Sequence, residues 1–232
     1  MKKYKRYRAV GKIVISSIFG VSVASSVDAL QLKFDDREVS GYVDVILSAS
    51  AAMRLEDGQQ GNASGNRQVF PDKGDFYSTP ASALIDIGLK RNNVGVFTRL
   101  SYIYDYTIMD EDCKNCARPT SQGRADGIAD NAQTLAGNKF RVLDAFVHGL
   151  WDVGAGLSGR IGKQVINWGE SNILGGGISQ MQNPVDLAKS TTPGTEVRET
   201  LMPQEAIYFQ YGISDNWQSQ IQRYLTQHQF TQ

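Results

Sequence analysis

The sequence has no long apolar run beyond its first thirty residues, and it has no net charge. A membrane-spanning helix needs roughly 18 or more consecutive apolar residues, so a polytopic α-helical membrane protein is excluded. With 24 basic and 24 acidic residues among 232, the chain is neither a strongly basic nucleic-acid binder nor an acidic disordered tail. A β-type membrane protein remains compatible with this composition, because the polar residues of alternating strands lower their mean hydropathy to the range of soluble proteins.

The sequence also lacks the common catalytic and cofactor motifs. Its two histidines, His148 and His228, stand in no His-Glu-x-x-His motif, and no Gly-x-Ser-x-Gly elbow is present. The glycines at 175–177 lack the Lys-Ser/Thr of a phosphate-binding loop, and the acidic loop at 110–112 lacks the residue order of an EF-hand. We therefore expect no catalytic residues, no cofactor and no metal. A hydrolase with a serine and His148 on neighbouring strands stays open as an alternative.

The zero net charge is the sum of two parts of the chain that carry opposite charge. Five basic residues lie within the first eight positions, an apolar segment follows at 13–24, and Val27-Asp28-Ala29 offers the small residues that a signal peptidase recognises. We predict that residues 1–29 are a secretory signal peptide; a short anchor or a core helix is the alternative. Removing it takes away six basic residues and one acidic residue, so the exported part, residues 30–232, is acidic.

The two cysteines, Cys113 and Cys116, form one Cys-x-x-Cys pair. In a cytosolic protein this spacing indicates a redox motif or half of a metal site, but no second pair or His-x-x-x-His spacing completes four ligands. An export signal places the pair in an oxidising compartment, where structural disulfides form. We predict a local disulfide in a loop.

The exported part is a series of segments in which apolar and polar residues alternate. A period of two is typical of a strand with one apolar face. The apolar residues take the odd positions in 41–55, the even positions in 94–106 and the odd positions in 143–153. Several of these segments are long enough to cross an outer membrane at a tilt. Shorter examples complete a set of seven predicted strands: 83–90, 157–167, 206–213 and 217–226.

Short and long connections alternate along the chain. Tight-turn residues join the predicted strands at 91–93, 154–156 and 214–216, whereas the connections over 56–82, 107–138 and 168–202 are long. Long loops are uncommon in compact soluble domains. Short periplasmic turns opposite long external loops are typical of outer-membrane proteins. The pattern predicts an all-β fold, an antiparallel up-and-down transmembrane β-barrel of which this chain supplies part.

Aromatic residues lie near the ends of the predicted strands. Trp151 and Trp217 fall on apolar faces beside short turns, and Tyr104 and Tyr106 fall at the loop end of their strand. A barrel places amphipathic rings at these two heights, where the membrane meets water. The alternative is the core of an exported soluble β-sandwich, a binding or adhesive module, because sandwich strands also alternate.

The densest polar segment is 168–203, which follows the fifth predicted strand. Its glycines and prolines make sharp bends, and its apolar residues favour a loop that folds back into the barrel mouth. Carboxylates in a partly desolvated lumen need cationic partners, so we expect its acidic residues to pair with Arg160, Lys163 or Arg198. Such a constriction sets pore size and charge preference. The candidate pore-lining or constriction residues are Asp86, Arg99, Asp144, His148, Arg160, Glu170, Asp186, Glu196 and Arg198.

An ordered set of motifs at 141–147, 160–171, 183–186, 193–196 and 201–203 resembles a large proteobacterial outer-membrane family, catalogued as domain of unknown function 1302. The resemblance implies an outer-membrane β-barrel, often associated with systems that move or degrade hydrophobic compounds such as steroids and long-chain lipids. It implies no catalytic residues, because none are established in the family. The family motif comprises Trp168, Gly169, Glu170, Ser171, Asn183, Pro184, Asp186, Pro193 and Gly194.

Members of that family are longer than this chain, and an odd, open set of strands would leave unpaired edges in lipid. We therefore expect the chain to be the N-terminal part of a longer barrel. The expected function is a channel or facilitator for a small hydrophobic or amphipathic compound in the outer membrane of a Gram-negative bacterium. The expected partners are outer-membrane lipid, the barrel-assembly machinery and a small hydrophobic ligand, with no nucleic acid.

Overall fold

The computed structural model describes residues 18–34, 38–57, 70, 72–110, 118–120, 123–125, 128, 130–166, 182–214 and 217–225. Its strands are β1 (Ile18–Phe34), β2 (Val39–Arg54), β3 (Phe76–Ser78), β4 (Pro80–Arg91), β5 (Val94–Asp105), β6 (Arg118–Thr120), β7 (Gly123–Ala125), β8 (Asn138–Trp151), β9 (Leu157–Gln164), β10 (Gln204–Ser214) and β11 (Trp217–Tyr224). The helical segments are α1 (Tyr106–Asp110), α2 (Asp130–Ala132), a π-helical turn (Gln133–Gly137), α3 (Leu187–Thr191) and α4 (Val197–Thr200).

Nine of the described strands form one antiparallel sheet. The order β1-β2-β4-β5-β8-β9-β10-β11 follows the chain, and β3 pairs with β2. The strands β6 and β7 form a separate two-stranded hairpin. The seven predicted strands correspond to β2, β4, β5 and β8 to β11, so the all-β fold and its up-and-down order are confirmed. In the part of the chain covered by the structure, no helix is long and apolar enough to cross a membrane.

The sequence does not predict the strand β1, because most of it has the pattern of a signal peptide. Its residues pair antiparallel with β2, and the register shifts between Val27 and Leu30. The predicted cleavage site after Ala29 lies within this shift. Cleavage there would leave the pairing of Leu30–Phe34 with residues 39–43 of β2 in place.

Two of the three predicted tight turns lie in the described residues. Asn92 has φ 50° between β4 and β5, a left-handed conformation that asparagine tolerates better than most residues. Gly154 and Gly156 have φ 65° and 106° between β8 and β9. The Leu150 N–H donates to the Asn93 carbonyl (2.8 Å), which joins the turn between β4 and β5 to the end of β8. The third turn includes residues 215 and 216, which lie outside the described residues.

One face of the sheet is apolar and exposed. A single row of register partners crosses five strands on this face, from Leu89 through Val96, Val147 and Ile161 to Ile207. Val96 and Ile161 retain 46% and 50% of their accessible surface. No second layer packs against this face in the described residues. We refer to it as the apolar face.

The opposite face, the polar face, carries charged residues that are buried. Asp86 and Asp144 are only 8% and 5% exposed. Residues 182–203 lie over this face and include α3 and α4; we refer to them as the covering segment. A small apolar cluster of Ile166, Ala206 and Tyr208 packs beside it. The usual arrangement of a soluble sheet, apolar inside and charged outside, is therefore reversed.

A bulge in β8 changes which residues reach each face. The alternation of 143–153 places Leu143 on the apolar face, and this prediction is wrong. The register with β5 shifts where Arg99 pairs with Asp144 and Leu100 with Val142, so Leu143 is the additional residue. Leu143 is buried, at 2% exposed. Because of the shift, both Arg141 and Asp144 lie on the polar face.

Candidate functional site

The covering segment is closed at its base by its own backbone. Val185 and Leu201 form an isolated antiparallel bridge. The Asp186 N–H donates to the Thr200 carbonyl, and the Met202 N–H donates to the Pro184 carbonyl, both at 2.8 Å. The two ends of the covering segment are thus joined to each other before the chain enters β10. This closure fixes where its charged side chains meet the polar face.

Asn183 connects the base of the segment to the end of β9. Its side-chain amide donates to the Ile166 carbonyl (2.8 Å), and its side-chain oxygen accepts from the Ile166 N–H (3.4 Å). Asn183 is fully buried. A buried side-chain amide that satisfies both the N–H and the C=O of one residue stabilises a fixed approach of two chain segments.

The first charged group is centred on Arg99 of β5. Its guanidinium donates two hydrogen bonds to Asp86 of β4, both 2.7 Å long, and its Nη1 lies 3.4 Å from an oxygen of Asp144 on β8. Arg198 of α4 reaches the same Asp86 carboxylate at 3.5 Å and binds Glu196 at 2.5 Å. Two arginines and three carboxylates therefore form one network, which joins three strands to the covering segment.

The second group joins Lys189 of α3, Glu199 of α4 and Ser101 of β5. The Ser101 hydroxyl donates to the Glu199 carboxylate (2.7 Å), and the Lys189 ammonium lies 3.3 Å from the same oxygen. The other Glu199 oxygen accepts from the Glu196 N–H (3.3 Å). All three side chains are buried. Burial lowers the pKa of Lys189 below its ordinary value, although the Glu199 carboxylate opposes this shift.

The third group is an ion pair between Arg141 of β8 and Asp186, the N-cap of α3. Asp186 also accepts a hydrogen bond from the Lys189 N–H (3.0 Å), which caps the helix. Burial by itself would raise the pKa of Asp186, but the Lys189 N–H and the Arg141 guanidinium outweigh it, so the pKa is lowered. The ionised form of Asp186 is therefore the one that this site stabilises.

A layer of aromatic rings lies on the polar face closer to the short turns. Phe97 and Phe146 pack with ring centroids 5.3 Å apart, and His148 meets the edge of Phe146 at 6.2 Å. The Arg160 guanidinium lies over Tyr208 at 4.6 Å and over Phe146 at 5.7 Å. Arg160 is thus held by ring faces, whereas the arginines nearer the long loops are held by carboxylates.

The structure brings together most of the candidate residues predicted from the sequence. His148 and Arg160 lie in the aromatic layer of the same face. Glu170, the motif residues 168–171 and the predicted disulfide of Cys113 and Cys116 lie outside the described residues. Within the described residues, no group of three or more His, Cys, Asp or Glu side chains is arranged to hold a metal ion. Six candidates meet at the boundary between the sheet and the covering segment: Asp86, Arg99, Asp144, Asp186, Glu196 and Arg198.

The pairings differ in part from the expected ones. Glu196 binds Arg198, one of the expected partners, but Asp186 binds Arg141 instead of Arg160 or Lys163. Lys163 lies next to Glu205 in the register of β9 and β10 and donates to the Val142 carbonyl (2.7 Å). The sequence reasoning missed four participants, because nothing in the spacing relates a position of the covering segment to a strand residue 45 or more positions away: Ser101, Arg141, Lys189 and Glu199.

The remaining motif residues shape the covering segment. Gly194 has φ 76° and follows Pro193 in the turn between α3 and α4, a conformation that favours glycine. Pro184 supplies the carbonyl that closes the base of the segment. These residues bind no side chain of the charged network. Their described role is to bring α3 and α4 into position over the sheet.

Strand order and site together describe an all-β protein whose antiparallel sheet buries a charged network under a connecting segment. The family model for the protein of unknown function DUF1302 matches residues 10–226 of this chain. The chain therefore belongs to that family, as the motifs predicted. No curated protein and no solved structure matches it.

Proposed function

We propose that the chain forms part of the wall of an outer-membrane β-barrel that lets a small hydrophobic or amphipathic compound pass. The polar face would line the lumen and the apolar face would contact lipid. The expected partners are therefore outer-membrane lipid, the barrel-assembly machinery and the small ligand. The proposal includes no catalytic step.

The observation that carries the proposal is the reversed placement of apolar and charged side chains. Three positions apart on β8, Asp144 is only 5% exposed while Val147 keeps 42% of its surface. In water, exposing an apolar row across five strands is unfavourable, and large exposed patches mark a surface that contacts something else. Lipid removes that cost without a second protein layer. A soluble sandwich would need such a layer.

The covering segment is the proposed constriction. Three of its connections to the wall, through Asp86, Ser101 and Arg141, are ionic or hydrogen-bonded instead of apolar. A segment held in this way narrows the lumen and leaves a polar rim for the passing compound. Its own exposed apolar residues, Leu187 and Val197, would then face the lumen.

Cysteine labelling tests the proposed orientation. In a background with Cys113 and Cys116 replaced by serine, Val147→Cys tests the apolar face and Asp152→Cys, in an exposed turn, is the matched control. In outer-membrane vesicles we expect Val147→Cys to react with a lipid-soluble maleimide and not with a charged one, while Asp152→Cys reacts with both. Reaction of Val147→Cys with neither reagent would indicate the dry core of a sandwich and contradict the proposal.

Transport itself needs a separate measurement. Liposomes that contain the full-length protein are expected to take up a short-chain amphipathic compound faster than empty liposomes. Lys189→Met and Glu199→Gln, which loosen the covering segment, are expected to change that rate. Equal uptake by loaded and empty liposomes would contradict a channel function even if the labelling places the apolar face in lipid.

A further inference from the structure

The charged side chains of the covering segment are paired mostly with one another. Arg198 binds Glu196 at 2.5 Å, and the Lys189 ammonium lies 3.3 Å from the Glu199 carboxylate. All four residues belong to the segment, so both pairs would stay together if the segment moved. The fifth charged residue of the segment, Asp186, forms its salt bridge with Arg141 of the sheet instead.

The charged residues of the sheet below the segment are also paired with one another. Arg99 already binds Asp86 at 2.7 Å, so the contact of Arg198 with the same carboxylate, at 3.5 Å, joins two residues that each have another partner. Two ion pairs join the segment to the sheet in the described residues. Of these, only the pair of Arg141 and Asp186 would leave both members without a salt bridge when it breaks.

The helices α3 and α4 bury no apolar side chain. Across residues 187–200, all of which the structure describes, the only buried residues are Lys189 and Glu199. The apolar residues Leu187 and Val197 keep 75% and 54% of their accessible surface. Parts of a protein with few buried apolar contacts open at a lower free-energy cost than its core. The two helices therefore have little hydrophobic attachment to the sheet.

The base of the covering segment is attached more firmly than its helices. Asn183 binds both the N–H and the C=O of Ile166, and the bridge between Val185 and Leu201 joins the two ends of the segment. Ile166 and Leu201 are both buried apolar residues. A firm base below weakly attached helices is the arrangement of a hinged element, which moves as one body while its ends stay in place.

We propose that α3 and α4 form a gate on the polar face, which tilts about the base of the covering segment, and that the ion pair of Arg141 and Asp186 is its latch. With the latch closed, the helices narrow the lumen. When the latch breaks, the helices move away from β5, and the pair of Lys189 and Glu199 is hydrated without being separated. The inference rests on the proposed function and names the element that regulates the constriction.

Distances between spin labels test the gate in the full-length protein in lipid nanodiscs, with both native cysteines replaced by serine. Labels at Ser190→Cys in α3 and Asp152→Cys in an exposed turn measure the position of the gate. Labels at Ser190→Cys and Val197→Cys measure its internal shape. We expect Arg141→Gln to raise the population of a second distance between positions 190 and 152, relative to the first, at least about tenfold, which corresponds to about 1.4 kcal/mol. The internal distance should not change.

Three further variants separate the latch from a general loosening of the segment. Asp186→Ser removes the charge but keeps a side chain that can cap α3, so it should match Arg141→Gln, and the double variant should open no further. Arg198→Gln should have a smaller effect, because Asp86 keeps its partner on the neighbouring strand. Arg91→Gln, at the exposed end of β4, is the matched control and should leave the distances unchanged.

The outcomes separate this inference from the proposed function. An unchanged distance distribution in Arg141→Gln would overturn the latch. A changed internal distance would overturn the gate, because it would show that the helices unfold instead of moving as one body. A second distance in both latch variants, without uptake into liposomes, would support the gate and contradict the channel. Uptake into liposomes with an unchanged distance distribution would support the channel and overturn the gate.

Discussion

Arg99 holds Asp86 through two parallel hydrogen bonds, from Nε to Oδ1 and from Nη2 to Oδ2, each 2.7 Å long. The two residues are register partners on β5 and β4, so the bond geometry is set by the sheet itself. Both side chains are mostly buried. Paired, bidentate and desolvated, this contact is the central connection of the charged network.

Replacing Arg99 should destabilise the protein strongly. Arg99→Met leaves Asp86 and Asp144 buried without their shared cation, and breaking one side of a buried pair costs about 3–5 kcal/mol. Arg99→Lys keeps the charge but loses the two-pronged geometry, so its effect should be smaller. Urea unfolding of the full-length protein in lipid vesicles measures both. A loss in Arg99→Met of no more than about 1 kcal/mol, the range of exposed pairs, would show that the network is not desolvated.

The contributions of Lys189 and Glu199 to the free energy of unfolding should be coupled. Each single variant, Lys189→Met or Glu199→Gln, removes one charge of the pair and leaves its partner buried, which is destabilising. The double variant removes both charges and should recover part of the loss. A double-mutant cycle of unfolding free energies measures the coupling. Additive losses would show that the two side chains act independently, and limited proteolysis within 182–203 would show whether the covering segment is the part released.

Acid should weaken the attachment of the covering segment through Asp186. Its pKa in the folded state lies below the ordinary value of about 3.9. The ionised carboxylate therefore stabilises the fold above about pH 4, and this contribution is lost as the pH falls through the folded-state pKa. The difference in unfolding free energy between the wild type and Asp186→Asn should be constant near neutral pH and shrink towards zero in acid. Asp152→Asn, in an exposed turn, is the control variant.

Replacing Asn183 should lower the free energy of unfolding by more than its neutral side chain suggests. Asn183→Ala removes two hydrogen bonds to Ile166 and leaves buried peptide groups unsatisfied, at a cost of about 1–3 kcal/mol for each group. We expect faster proteolysis at the base of the covering segment and a lower urea midpoint. Thr200→Ala, which removes a more exposed hydroxyl contact on the same segment, is the comparison. Equal sensitivity of the two variants would contradict the assigned role of Asn183.

Alternation along the sequence predicts the strands and most of the faces, because one face of each strand must be apolar and the other polar. It places Asp86, Arg99 and Asp144 on the polar face without any structural information. It fails at Leu143, because a bulge interrupts the period of two there. No residue type in this part of the sequence indicates a bulge. It also fails at β1, where an apolar run suits both a signal peptide and a strand.

The contacts of the covering segment are the least predictable part. Lys189 and Glu199 lie ten positions apart on two short helices, and Ser101 is far away in sequence. Their meeting depends on the bridge between Val185 and Leu201, which no local pattern specifies. Residue chemistry predicts that buried carboxylates need partners, but only the three-dimensional arrangement shows which partner each one has.

The bulge in β8 has a consequence for how this sequence can change over time. In a strand that alternates strictly, only residues separated by an even number of positions lie on the same face. Arg141 and Asp144 are three positions apart, so in such a strand they could not both reach the network. The additional residue at Leu143 lets one strand hold the covering segment and Arg99 at once. Loss of that single residue would leave Arg141 and Asp144 two positions apart, so both charges would stay on the polar face of a regular strand. The bulge therefore lets this strand carry one residue more than regular pairing needs without turning either charge towards the apolar face.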